Sequence, residues 1–248
     1  MFLILLGELI LLYVLSQLLT RTLYRLFLLL FRARSVAIMI VLLLEFPGTV
    51  VHELSHLFTA SILGVPTGKI TLTPEVIRDP DRPNDKLGSA IRPGSVMIAH
   101  SDPFRRYAIG LAPVFAGILV LCTISYFFPG VADRALHTGV PVWKNTSAYL
   151  LAGLAYLLFS VSNTMFSSEE DLKGFWPFGI ALILFIGAAY ALGVRIALSG
   201  LLLDIATNIT KTLVNNLGAV LILNLVLLIL GNIFINIFSN IFHRRIVS

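Results

Sequence analysis

Two histidines and a glutamate form the motif with the clearest chemistry in this chain, His52-Glu53-Leu-Ser-His56. On a helix, side chains four residues apart project from the same face, so His52 and His56 can bind one Zn²⁺ ion. Glu53 points to the side on which a zinc-bound water would lie, as in zinc peptidases. Chance is a weak explanation, because only five histidines occur in the chain and two fall in this motif.

The motif lies in an apolar stretch. Between Val36 and Val51 the only strongly polar residue is Glu45, and residues 57–64 are again mostly apolar. Ionisable side chains inside a bilayer are costly and mark functional sites, so we predict a zinc site within the membrane. Glu45 precedes His52 by two helical turns on the same face, where it would either line a water path or pair with an arginine.

A catalytic zinc needs three protein ligands and one open position. The other histidines, His100, His137 and His243, lie in loops or a terminus and have no partner motif. The carboxylate cluster of residues 169–171 is the better source of a third ligand, with Glu169, Glu170 and Asp171 as alternatives.

Composition predicts an all-α polytopic membrane protein. The chain has 248 residues, of which 57% are apolar and 12% charged, and its mean hydropathy is +0.92. The net charge of +5 suits basic loops beside lipid headgroups rather than nucleic acid, because no basic run is interleaved with aromatic residues. Cys122 is the single cysteine, which excludes an intramolecular disulfide.

Apolar runs of roughly 20 residues predict about six transmembrane helices. Their expected ranges are Phe2–Thr20, Ser35–Gly64, Tyr107–Phe128, Ala148–Phe166, Phe175–Leu198 and Leu213–Ile241. We group them as an N-terminal anchor in residues 1–34, a catalytic core in residues 35–174 and C-terminal helices in residues 175–248.

The only sizeable polar region lies between the second and third helices. Alternation in Lys69–Thr73 and a second candidate at Ser95–Ala99 predict a small β-hairpin at the membrane surface. Its first strand would either capture a substrate segment by β-addition or form a plain cover.

The last helix carries asparagines separated by multiples of four residues, which form one stripe along its face. Amides facing lipid would go unsatisfied, so we expect them to face the bundle and bond to other helices. The stripe consists of Asn216, Asn224, Asn232, Asn236 and Asn240.

The order of these motifs resembles the site-2 protease family of intramembrane zinc metalloproteases. In that family an HExxH helix is followed by a surface β-element, a helix with a glycine- and proline-containing motif, and a helix with an asparagine eight residues before an aspartate. The corresponding segments here are the HExxH motif, the hairpin, Gly110-Leu-Ala-Pro113-Val-Phe-Ala-Gly117 and the stretch from Asn163 to Asp171.

The resemblance covers about half of the chain, from Glu45 to Gly174. It implies that His52, His56 and Asp171 bind one zinc ion and that Glu53 is the general base and acid. It also implies that Asn163 is a polar group near the scissile peptide.

The chain departs from the family pattern around the predicted aspartate ligand. Phe166 stands where the family has a proline, Glu170 where it has an apolar residue and Leu172 where it has a glycine. No PDZ-like domain is inserted.

Charges in the polar region favour a cytoplasmic location for residues 65–106 and for access to the zinc. The same topology exports Arg21, Arg25, Arg32 and Arg34, against the positive-inside rule. The expected setting is therefore a multi-pass protein in the cell membrane of a prokaryote, with the zinc accessible from the cytoplasm.

The function that the resemblance implies is hydrolysis of peptide bonds in or near transmembrane segments of single-span or other membrane proteins. An inactive homologue that binds membrane clients is an alternative, although a binding module has no need of Glu53. A prenyl-protein-type HExxH peptidase with a glutamate ligand is a second alternative, and the spacing from Asn163 to Asp171 speaks against it. A metal transporter is disfavoured, because histidines do not recur across several helices.

Overall fold

A computed structural model of the chain describes residues 2–72, 75–77, 90–92, 95–99, 101–137, 141, 144–166, 180, 184–185, 187–193 and 200–241. Five helices in these ranges are long and apolar enough to cross a membrane, which confirms a multi-span helical protein. They are α1 (Phe2–Phe31), α2 (Arg34–Ile62), α3 (Pro103–His137), α4 (Thr146–Thr164) and α5 (Leu201–Ile241).

A small antiparallel β-element joins α2 to α3, as the alternating pattern predicted. Strand β1 (Thr67–Thr71) pairs with β4 (Ser95–Ile98), and β2 (Glu75–Ile77) pairs with β3 (Ala90–Arg92). The strand expected at Lys69–Thr73 begins two residues earlier, and Thr73 lies outside the described residues.

The first helix is longer than predicted. It was expected to end at Thr20, but it continues through Arg21 and Arg25 to Phe31. Arginine is a good helix former, and no glycine or proline interrupts this stretch. The helix ends where Arg32 adopts a left-handed conformation with φ 56°. Its 30 residues span roughly 45 Å, so it is longer than the roughly 30 Å hydrocarbon core.

The helices alternate in direction, and α5 runs parallel to α1. Glu8 lies against Gly218, and Thr22 lies against Gly231 further along both helices. Alternation through six crossings would instead make the last helix antiparallel to the first. The structure therefore has five described spans, and most of the predicted helix between Phe175 and Leu198 lies outside the described residues.

The apolar core lies where α1, α3, α4 and α5 meet. At its centre Asn224 of α5 is fully buried and donates from Nδ2 to Ser162 Oγ of α4 over 2.9 Å. This contact confirms one member of the asparagine stripe as a link between helices. Asn232 is exposed and donates to Leu228 O of its own helix, and Asn236 and Asn240 are also exposed. The stripe drifts away from the bundle because 3.6 residues complete a turn, so the prediction was wrong for these three.

Candidate metal centre in the bundle

Helix α2 presents the three motif residues to the interior of the bundle. His52, Glu53 and His56 are all buried, with exposed fractions of 5%, 6% and 6%. Burial of two imidazoles and a carboxylate in one helical turn is costly unless specific partners compensate it. Their surroundings therefore decide what chemistry the motif supports.

A proline in α3 provides the partner of His56. Within a helix the carbonyl of Ile109 would accept from the N–H of residue 113, but that residue is Pro113, which has no N–H. His56 Nδ1 lies 2.9 Å from this Ile109 oxygen. Because a carbonyl only accepts, Nδ1 must carry the proton and Nε2 presents its lone pair. Metal-ligating histidines typically donate their other ring N–H to a carbonyl or carboxylate oxygen in this way.

The distance between the two imidazoles fits a shared metal ion. His56 Nε2 lies 3.2 Å from His52 Nε2, and the rings are nearly perpendicular at 81°. Two nitrogens bound tetrahedrally to one zinc at about 2.0–2.1 Å would lie roughly 3.3 Å apart. The same distance would suit a hydrogen bond from His52 Nε2–H to His56 Nε2, so zinc content is the measurement that separates these arrangements.

Close contact with α4 holds the turn that precedes the motif. Pro47 has no N–H to give to the carbonyl of Leu43, and Tyr156 of α4 donates to that oxygen over 3.4 Å. Gly48 donates from its backbone N–H to Ser160 Oγ over 2.8 Å. A Cβ atom on Gly48 would collide with Ser160 O and Thr164 Oγ1. Only glycine permits this approach.

The sequence did not identify these contributions from α3 and α4. Prolines inside helices were the available signal, since each one leaves a carbonyl without its usual donor. Which side chain reaches that carbonyl depends on how the helices pack, and this is not encoded in local spacing.

Asn163 lies in the last turn of α4 and is buried, with an exposed fraction of 4%. Both polar atoms of its amide are buried and have no hydrogen-bond partner within the described part of the chain. Asn163 is among the residues that line a cavity, together with Glu45 and Thr20.

The position of the third predicted ligand, Asp171, is not described. Asp171 lies outside the described residues, as do Glu169 and Glu170. Among residues that the structure describes, no group of three His, Cys, Asp or Glu side chains comes together. The assignment of Asp171 as zinc ligand stays a prediction.

Glu45 is buried, with an exposed fraction of 9%, and accepts from Thr20 Oγ1 of α1 over 2.7 Å. Glu45 lines a cavity between α1 and α2, and its predicted role on a water path stays a prediction. Arg21 lines the same cavity, but no ion pair joins it to Glu45 in the described ranges.

The chain matches no family model, no curated protein and no solved structure. The fold and the site thus define a class by geometry alone, a multi-span helical membrane protein with a histidine pair buried inside its bundle.

Proposed function

We propose that this protein is an intramembrane zinc metalloprotease that hydrolyses peptide bonds in or near transmembrane segments of other membrane proteins. One observation carries the proposal above the rest: His56 is held through Nδ1 by Ile109 O, and its Nε2 faces His52 Nε2 at 3.2 Å. A histidine that serves only as core packing does not require its second nitrogen to face another imidazole at the separation of two zinc ligands.

In the proposed centre His52 and His56 bind one zinc ion per chain, and Asp171 completes the ligand set. Zinc supplies a Lewis acid that polarises the scissile carbonyl and lowers the pKa of a bound water toward about 7. Glu53 would accept a proton from the attacking water on its carboxylate and pass it to the nitrogen of the leaving amine. Asn163, with an amide that can both donate and accept, binds the substrate peptide.

The burial of the site supports this use. Water competes poorly for polar groups in an apolar bundle, so the electrostatic effect of each group on the reacting peptide is larger than in solution. Peptide groups in a membrane helix bond to one another, so a substrate helix must unwind locally before it can be cut. The edge of β1 that does not pair with β4 has no partner strand among the described residues, and it offers a place for the unwound segment.

Our proposal includes a site that faces the cytoplasm, because positive charges are frequent in residues 65–106. The cell membrane of a prokaryote stays the expected setting. The inactive-homologue alternative predicts the same fold. It gives no reason for a carboxylate to be buried beside the histidine pair.

The test compares zinc content and cleavage in three purified proteins in detergent. We expect the wild type to bind close to one zinc ion per chain and to cut a processed membrane protein. Glu53→Gln should keep the zinc and lose activity by about 10²- to 10⁴-fold, because the amide keeps its size but cannot accept the proton.

The double variant His52→Ala, His56→Ala should lose both zinc and cleavage. Full zinc occupancy in that variant would overturn the metal assignment. Activity of Glu53→Gln within about tenfold of the wild type would remove this carboxylate from the mechanism.

A further inference from the structure

A cavity of about 360 Å³ lies between α1 and α2. This volume is near the lower end of the range of roughly 300–1,000 Å³ that is usual for ligand sites. Polar side chains are concentrated in it although the helices around it are apolar. Its polar lining consists of Gln17, Thr20, Arg21, Tyr24, Glu45 and Asn163.

The carboxylate of Glu45 retains acceptor capacity. From the described residues it receives one hydrogen bond, from Thr20 Oγ1, whereas a carboxylate offers about four acceptor positions. Arg21 is exposed and forms no ion pair with Glu45 within the described part of the chain. A buried carboxylate in a membrane bundle is costly and is normally compensated by a partner.

An independent observation on α4 points to the same cavity. Asn163 is 4% exposed, and both its Oδ1 and its Nδ2 lack a hydrogen-bond partner among described residues. Buried amides are nearly always hydrogen-bonded in native structures, so each exception calls for a ligand, a water or an ion. The residue that carries this unsatisfied amide therefore borders the same cavity as the carboxylate of Glu45.

Helix geometry sets the distance from this cavity to the histidine pair. Glu45 precedes His52 by seven residues on the same face of α2, which corresponds to roughly 10 Å along the axis. An extended peptide covers that distance in about three residues.

We propose that the cavity is a specificity subsite for a cationic side chain of the substrate, of the lysine type, located about three residues from the bond that is cut. An ammonium group has three donors, which suit Glu45 Oε2 and Asn163 Oδ1 and leave one donor for water or a backbone carbonyl. Binding compensates the buried carboxylate and satisfies the acceptor of the amide at the same time. This inference rests on the proposed function.

Binding of defined peptides to the Glu53→Gln protein tests the subsite without cleavage. The probes are fluorescent leucine–alanine peptides of about 25 residues, each with one lysine or one norleucine at the same central position, in detergent micelles. We expect the lysine peptide to bind about tenfold more tightly, as for one hydrogen bond to a charged group. Adding Glu45→Gln should reduce this preference to less than about twofold.

Glu8→Gln in the Glu53→Gln background is the matched control, because Glu8 is another glutamate of a membrane helix and faces Gly218 of α5, outside the cavity. It should keep the preference. Zinc content equal to that of the parent shows that each variant is folded. If Glu45→Gln does not fold, Glu45→Asp should give an intermediate preference.

A lysine preference that survives Glu45→Gln overturns the proposal. Equal binding of the lysine and norleucine peptides to the parent protein also overturns it. If Arg21→Gln then produces a preference for lysine, Arg21 itself occupies the cavity, and the proposal fails as well.

Cleavage by the wild type separates the two proposals. If the wild type cuts both peptides equally well and binds them equally, the subsite fails and the protease stands. If binding depends on lysine and Glu45 but no peptide is cut, the protease fails, and the cavity is a binding site for a cationic side chain without a role in cleavage.

Discussion

The histidine pair and the Glu45 cavity lie two helical turns apart on the same face of α2, yet their polar groups differ in how far hydrogen bonds fix them. At the pair, His56 is fixed through Nδ1 to Ile109 O and faces His52 at 3.2 Å. In the cavity, Glu45 receives one hydrogen bond and the amide of Asn163 receives none from the described residues. The first region is arranged before any ligand binds, whereas the second leaves polar capacity for a ligand to use.

Prolines explain why the first region is so well ordered. Pro113 releases the carbonyl that holds His56, and Pro47 releases the carbonyl that Tyr156 reaches. In both cases a missing backbone donor is replaced by a side chain from another helix. In the cavity, by contrast, no side chain in the described ranges forms a hydrogen bond with the amide of Asn163.

Removal of the predicted third ligand should have the largest effect, because it should affect the histidine pair and leave the cavity unchanged. We expect Asp171→Ala to abolish cleavage and to lower zinc affinity by more than about 100-fold, because loss of a direct ligand should cost more than loss of a group that only orients one. Peptide binding in the cavity should change little. Glu169→Ala and Glu170→Ala are the matched controls and should keep zinc and activity. A zinc titration of the three variants would contradict the assignment if Glu169 or Glu170 proves indispensable and Asp171 does not. The prenyl-protein-type alternative would then gain support.

The contact between α2 and α4 supports both regions, so its disruption should affect them together. Gly48→Ala brings a methyl group into Ser160 O and Thr164 Oγ1. We expect a loss of about 3 kcal/mol in stability, as for overpacking of a tight interface, with a fall in both zinc and peptide binding. Thermal unfolding in detergent measures the effect.

Gly153→Ala is the control for that variant, because no atom lies within 4 Å of a Cβ built at Gly153 of α4. It should be neutral or stabilise α4 by about 0.5–1 kcal/mol. Equal stabilities of the two variants would show that the close approach at Gly48 does not hold the helices together.

The smallest effect should come from Pro113→Ala, which changes only the first region. The variant restores an N–H at residue 113, which competes with His56 Nδ1 for Ile109 O. We expect zinc affinity to fall by about tenfold while peptide binding in the cavity stays constant. Pro129→Ala in the same helix is the control and should leave zinc affinity unchanged. Identical zinc affinities in both variants would show that the contact between Ile109 and His56 does not contribute to metal binding.

Much of the architecture could be predicted from hydropathy and spacing. Helix α2 begins one residue before its predicted start and ends two residues before its predicted end. The strand pair β1 and β4 lies where the alternation of residues indicated. Apolar runs of membrane length have few alternatives, because unsatisfied backbone groups are excluded from lipid. Boundaries in polar stretches were less accurate, as in α1, since arginine supports a helix as readily as a loop.

The sequence by itself determined the membrane class, the helical placement of His52, Glu53 and His56 on α2, and the asparagine eight residues before an aspartate. These follow from local periodicity, which the chain carries without reference to its neighbours. Only the tertiary structure decided that α5 runs parallel to α1, that Ile109 O orients His56, and that Glu45 and Asn163 share one cavity. Such relations join residues more than fifty positions apart, and packing between helices, which no local pattern encodes, brings them together.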